Sequence, residues 1–552
     1  MNKGHRIKWD VWLAITICAL ALFALFFIYP IVKIFANSVI DPETKRFTLE
    51  AFQKFFSRKY YTSTVWNSLK VTTLVTLLAA TLGTAMAYVM RSIRIRGRGI
   101  LEIFIIITVL SPPFIGAYSW ILLLGRSGVV TEVIDKLFGI QFNGIYGFSG
   151  ILLVLTLKLF PLIYLYVSGA LKNMDNSLNE AAENLGTVGI RKIFKVVIPL
   201  ILPTILAGSL LVFMRALADF GTPMLIGEGY RTLPVLIYTS FISEMGGDAA
   251  FASAISVIVV VITTIIFLSQ KYVASRKTIE MSSLRPMEPK PAKGLKNVLA
   301  HLFVYLIVFL AALPQFVVIY TSFLKTNGRI FVQGFSFDSY ISAFSKMGSS
   351  ITNTYLYSIA AILIIVVIGT LVAYVAERKR NVLTGTLDTL TMIPYIIPGS
   401  VLGIALLTAF NQRPLLLSGT AFIIIAVFVI RRLPYTIRSS AAILHQISPS
   451  VEEAAQSLGA TPLKTFRKVT LPMMVPGVMS GALMSWMSVI SELSASIILY
   501  VGTTKTLTIS IYTEVIRGNY GVAAALATIL TATTVIALLI FFKLTGRKEI
   551  DM

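Results

Sequence analysis

The sequence predicts an all-α polytopic membrane protein, with about twelve transmembrane helices arranged as two parallel six-helix repeats. Three observations carry this prediction. Of 552 residues, 56% are apolar and only 13% are charged, about half the roughly 25% charged content of a soluble domain, and mean hydropathy is +0.82. Twelve stretches lack any charged residue over about 17 positions or more, the length a hydrocarbon core demands. Blocks from the first six stretches recur, in order, among the last six. Composition this apolar excludes a string of soluble domains and a disordered chain alike.

The expected spans of the first half are 11–32, 71–90, 103–125, 137–157, 196–214 and 249–270. Those of the second half are 297–324, 347–376, 389–412, 414–430, 469–491 and 518–542. The first stretch is too long for a signal-peptide core and is expected to stay as a helix. Segment 271–296 carries seven basic residues with Pro286, Pro289 and Pro291, and reads as a basic cytoplasmic linker between halves 1–270 and 297–552. Its charge makes anionic membrane lipid a natural neighbour.

The net charge of +23 would point to nucleic acid in a soluble protein. Here it is assigned to the cytoplasmic side of the membrane, with no nucleic-acid partner. With the N-terminus inside, the inner segments hold 31 Lys and Arg and the outer segments 17. Loop 33–70 dissents with seven basic residues, but it is long, and the charge rule weakens in long loops. Both termini are expected in the cytoplasm.

Chemistry-bearing residues are sparse. The single cysteine, Cys18, permits no internal disulfide, and His5, His301 and His445 are scattered. There is no His-Glu-x-x-His and no Gly-Lys dipeptide, so a zincin site and a Walker A loop are both absent. No catalytic residue and no firm metal ligand is assigned. The chain is expected to bind no cofactor and to be no enzyme, so any use of ATP and Mg belongs to partner subunits.

The repeat is sustained. Glu180-Ala181-Ala182 with Leu185-Gly186 recurs as Glu453-Ala454-Ala455 with Leu458-Gly459, at an offset of 273. The register holds without a gap through Lys195/Lys468, Pro199/Pro472, Pro203/Pro476 and Gly208/Gly481, and upstream at Pro161/Pro434. A second block, Gly83-Thr84 with Ala87-Tyr88-Val89, recurs as Gly369-Thr370 with Ala373-Tyr374-Val375 at an offset of 286. Six expected crossings separate the two Glu-Ala-Ala blocks, so both lie on one side and the repeat is parallel. Each block reads as a short helix, a turn at a glycine able to take positive φ, and a return to the bilayer opened by proline.

These blocks resemble the signature of the inner-membrane permease subunits of binding-protein-dependent ABC importers. That signature is Glu-Ala-Ala, three residues, Gly, about nine residues, then an apolar residue and Pro. Ile198-Pro199 and Leu471-Pro472 complete it, near 180–199 and 453–472. The resemblance implies a type I importer permease fold in a bacterial inner membrane. It implies two copies of a cytoplasmic ABC ATPase and an extracytoplasmic substrate-binding protein as partners. It assigns ATPase coupling to Glu180, Ala181, Ala182, Gly186, Glu453, Ala454, Ala455 and Gly459.

The segment Arg215-Ala216-Leu217-Ala218-Asp219-Phe220-Gly221-Thr222 looks like an Asp-Phe-Gly signature of ferric-iron permeases. Ser491-Glu492-Leu493 resembles their Glu-Leu-Pro element, with Ser494 where proline is common. Ferric iron is therefore the expected cargo; thiamine, polyamine and aminoethylphosphonate permeases share much of the pattern.

Asp219 and Glu492 occupy the same repeat position, at the offset of 273. Carboxylates in a bilayer are costly and commonly face a polar path, so both are expected to line a cation pathway. The competing expectation is local pairing, for example of Asp219 with Arg215, or capping of a broken helix. An ion-coupled secondary transporter would also use intramembrane acids, but it needs no duplicated ATPase dock.

Overall fold

The computed structural model describes residues 10–41, 44–110, 113–139, 143–242, 248–275, 288–328 and 330–545. Among these, nine helices are long and apolar enough to cross a bilayer. In the first half they are α1 (Val11–Val39), α2 (Lys59–Ser92), α5 (Phe148–Lys172), α7 (Gly189–Leu217) and α9 (Ala249–Ser275). Between them lie α3 (Arg98–Leu110), α4 (Pro113–Leu124), the short α6 (Asn176–Asn184) and α8 (Gly221–Ile226).

The second half repeats the series. It comprises α10 (Gly294–Ser322), α11 (Asp338–Arg378), α12 (Val382–Ile396), α13 (Gly399–Ala409) and α14 (Ala421–Gln446). Then follow α15 (Ser450–Ser457), α16 (Pro462–Ile490), α17 (Ser496–Leu499), α18 (Leu507–Ile516) and α19 (Tyr520–Thr545). A small antiparallel hairpin, Leu324–Asn327 with Ile330–Phe335, follows α10.

Three of the twelve expected spans take another form. The third is the pair α3 and α4, and the ninth is α12 and α13, bent by 111°. The tenth, expected at 414–430, is α14 at Ala421–Gln446, whose Arg431, Arg432 and Arg438 break its apolar run. The fourth, expected at 137–157, is α5 at Phe148–Lys172 and contains Lys158. A charge-free criterion ends a span at its first cation; both helices instead run about four turns past theirs.

Pro199 and Pro472, expected to open the returning spans, lie inside continuous helices. Each follows a π-helical turn, Ile193–Val197 and Phe466–Thr470, and Pro30 follows a third at Ala24–Ile28. Proline offers no N–H and crowds the carbonyl four residues back. The wider turn moves the hydrogen bonding to i−5 and relieves that conflict.

Packing divides the chain into two units. One contains residues 55–239 and 258–336, the other the described residues of 1–54, 240–257 and 337–548. In the first unit α2, α5 and α7 pack together, and α10 lies on α3 and α4. Thr108 and Ser119 donate to the carbonyls of Ala311 and Pro314, at 3.3 and 2.9 Å, where Pro314 interrupts α10. In the second unit α11, α14 and α16 pack together, and α1 lies on α11, α12 and α13. Trp12 fits against Tyr374 and Phe466, with ring centroids 4.5 and 5.3 Å away. Each sequence half thus gives its leading helix to the packing unit of the other.

The same junction holds each three-helix core. A Cβ on Gly83 would lie 2.6 Å from Ile163 Cβ, and one on Gly208 would lie 3.2 Å from Ile163 Cδ1. At the repeat positions, Gly369 and Gly481 close on Thr436. Small residues let helices approach where lipid supplies no hydrophobic drive. That explains why these glycines recur in register.

The linker is described from residue 288 onward; positions 276–287, including Pro286, and both chain ends lie outside the described residues. Its end is pinned. Lys290 exchanges backbone hydrogen bonds with Ser92 and Arg94, at 3.0 and 3.1 Å.

Candidate functional site

The two Glu-Ala-Ala segments form α6 and α15, and each helix ends in the same cap. Gly186 N–H donates to Glu183 O at 2.9 Å, and Thr187 N–H to Ala182 O at 2.8 Å. Gly459 N–H donates to Gln456 O at 2.9 Å, and Ala460 N–H to Ala455 O at 3.1 Å. This is the Schellman arrangement, in which the residue after the helix takes a left-handed conformation. Gly186 and Gly459 have φ of 78° and 86°, and nothing lies within 4 Å of a Cβ placed on either.

The caps leave a defined surface at each tip. Glu180 and Glu453 are exposed, as are Ala181 and Ala454, while Ala182 is buried and Ala455 half-buried. Glu180 accepts a hydrogen bond from Asn176 at 2.9 Å. Leu185 and Leu458 are 85% and 90% exposed. Sequence reasoning treated these leucines as part of the motif without assigning them a role; the Leu-Gly pair in both blocks was the signal. A leucine held out beside small alanines forms a flat apolar contact with a charged rim. Nearby, Lys192 donates to Glu183 at 2.6 Å, which holds that carboxyl below the usual range.

Asp219 and Glu492 lie where α7 and α16 end, roughly 43 Å along a 29-residue helix from the Glu-Ala-Ala turn. Both are buried. Each caps the short helix beyond the break: Asp219 accepts from Thr222 N–H at 2.9 Å, and Glu492 from Ala495 N–H at 3.1 Å. Each also carries a cationic partner from the neighbouring helix. Lys158 Nζ is 2.8 Å from Asp219 Oδ2. Arg431 and Arg432 both bond Glu492 Oε2.

Lys158 and Arg431 are themselves repeat equivalents, so the two pairs are one device used twice. Asp219 pairs with Lys158, a partner that the sequence reading did not name. Ser494 donates to Glu492 at 2.8 Å and accepts from Arg431 at 3.2 Å. The serine standing in the place of proline therefore joins the cluster. Among the described residues, no group of three or more His, Cys, Asp or Glu could hold a metal ion. The missed residues had a signal: Lys158 and Arg431 are cations in apolar surroundings at the offset of 273.

Against known proteins, the family of binding-protein-dependent transport system inner membrane components matches residues 79–279 and 365–548. The chain is similar to the ferric transport system permease protein FbpB of Actinobacillus pleuropneumoniae, 30% identical over 98% of this chain and 79% of that protein. It is 29% identical to a putative ferric transport system permease protein FbpB 1 of Haemophilus influenzae, over 89% of this chain and 78% of that protein. A putative 2-aminoethylphosphonate transport system permease protein PhnV of Salmonella typhimurium is 30% identical over 41% of this chain and 86% of its own length. The repeated Glu-Ala-Ala helices, the apolar helices and a match to each half agree. The chain belongs to the family of binding-protein-dependent transport system inner membrane components, as a multi-pass permease with both family units fused in one polypeptide.

Proposed function

We propose that this chain forms the translocation pathway of an ATP-driven importer for ferric iron delivered by an extracytoplasmic binding protein. Two cytoplasmic ATPase subunits dock on α6 and α15, hydrolyse ATP with Mg on their own residues, and leave this chain without catalytic chemistry or a cofactor. The carrying observation is the paired, identically capped docking helix with its exposed leucine. Both chain ends then lie in the cytoplasm. Ferric iron is favoured over aminoethylphosphonate because the relatives named for ferric transport align with nearly the whole chain, whereas PhnV aligns with 41% of it.

In this reading Asp219 and Glu492 serve the pathway from within their ion pairs. Asp219 is already held by Lys158 and Glu492 by both Arg431 and Arg432, so they fix the helix break beside the pathway rather than ligate iron. The test is iron uptake into proteoliposomes holding this chain, its ATPase and its binding protein. Uptake that needs ATP and is not competed by aminoethylphosphonate supports the proposal. Uptake of aminoethylphosphonate in place of iron overturns the substrate, and uptake without ATP overturns the importer class.

A further inference from the structure

We infer that one water molecule binds in a cavity beside the Asp219–Lys158 pair and joins that pair to Gln315 of α10. The inference holds whatever the cargo, since it rests on packing within the first unit alone. The cavity lies between α3, α4, α5 and α10, and Lys158, Gln315 and Thr108 supply polar parts of its lining. Its volume is about 20 Å³, and a single water needs roughly 10–15 Å³ on the same measure. One water fits, and a hydrated metal ion is too large.

Gln315 is the reason to fill it. The residue is 8% exposed, and its Oε1 has no hydrogen-bond partner among the described residues. A buried amide oxygen left so costs stability. Lys158 brings the complementary group. An ammonium has three N–H donors, and Asp219 Oδ2, at 2.8 Å, takes one of them. Thr108 spends its hydroxyl proton on the carbonyls of Phe104 and Ala311, at 2.9 and 3.3 Å, and keeps a lone pair to accept with. A water that accepts from Lys158 and donates to Gln315 and Thr108 makes three hydrogen bonds, the usual number for a buried water.

The repeat shows what the water stands in for. Glu492 bonds Arg432 and Ser494 directly, besides Arg431. The register puts Leu159 and Gly221 at the positions of Arg432 and Ser494, and neither has a side-chain donor. The leading helices differ in the opposite sense. Aligned on Pro30 with Pro314 and Ser38 with Ser322, α1 has Ile31 where α10 has Gln315. The extra polar contact therefore reaches the first site from α10, through water. The bridge ties α10, beside its Pro314 kink, to the break between α7 and α8.

The experiment is a cycle of melting temperatures on the full chain in lipid nanodiscs, with a density map of the wild type that resolves ordered water. A Cβ on Gly116, which also lines the cavity, lies 3.7 Å from Val154 Cγ1, an ordinary contact. Gly116→Ala thus enters the cavity without a clash. Filling a dry void adds contacts and raises the melting temperature; expelling a bonded water strands Gln315 and lowers it. Gly116→Ala and Gln315→Leu should each lower it by about 2–4 °C. The double variant should lose no more than the worse single variant, because one water can be lost only once. Gly116→Ala melting at or above wild type, or losses that simply add, overturns the inference. In the map, a peak within hydrogen-bond distance of both Lys158 Nζ and the Gln315 amide supports it, whatever the variants' yield. Direct contact between Lys158 and Gln315, or no peak between them, overturns it.

Discussion

Lys158 Nζ lies 2.8 Å from Asp219 Oδ2 across 61 residues of sequence, and Arg431 meets Glu492 across the same separation in the other half. A duplicated chain carries a buried ion pair beyond the ends of both α7 and α16. Breaking such a pair strands a charge in a medium that cannot solvate it. Asp219→Asn alone should therefore cost about 3 kcal/mol of stability, read as a lower melting temperature in detergent. The neutral pair Lys158→Gln/Asp219→Asn should recover most of that loss. Recovery by Arg215→Gln/Asp219→Asn instead would return the pairing to Arg215.

The cluster around Glu492 leaves no room on its other side. A Cβ on Gly399, at the 111° bend before α13, would lie 2.6 Å from Arg431 Nη1 and closer still to Ser494 Oγ. Gly399→Ala should cost about 2 kcal/mol, as overpacking does, and should lower iron uptake with it. A variant that melts like wild type would show that Arg431 can move away freely.

The helix junctions differ in tolerance despite their shared register. At Gly481 a methyl group would meet the Cα of Thr436 at 2.6 Å, and backbone cannot swing aside. At Gly208 it would meet the far end of Ile163 at 3.2 Å, which can. Gly481→Ala should lower yield and melting temperature clearly, and Gly208→Ala should change them little. Equal effects would mean that the two halves pack alike at this point.

Much of this architecture is legible in the sequence because repetition doubles each signal. The left-handed glycines Gly186 and Gly459 were readable from the Glu-Ala-Ala spacing, since a Schellman cap demands one residue without a Cβ penalty. Lys158 and Arg431 were not, because a span was expected to contain no charge. The fold stabilises each cation with an acid 61 residues away, and hydropathy registers single residues rather than pairs.

The turns at Gly186 and Gly459, proposed as docks, should accept a side chain without a steric clash. Gly186→Asp and Gly459→Asp each impose about 1–2 kcal/mol of left-handed strain but strike nothing, since both positions open onto free space. The double variant should insert and fold with a melting temperature lowered by that strain alone, and should lose iron uptake and ATPase association together. Undiminished uptake would remove these turns from coupling.

The most direct measurement is the number of ATPase subunits held by one chain, read by native mass spectrometry of the complex purified from membranes. Two per wild-type chain and none per Gly186→Asp/Gly459→Asp chain is the expected result. A chain that carries no ATPase, or a double variant that still carries two, would contradict the assignment of α6 and α15 as paired docks.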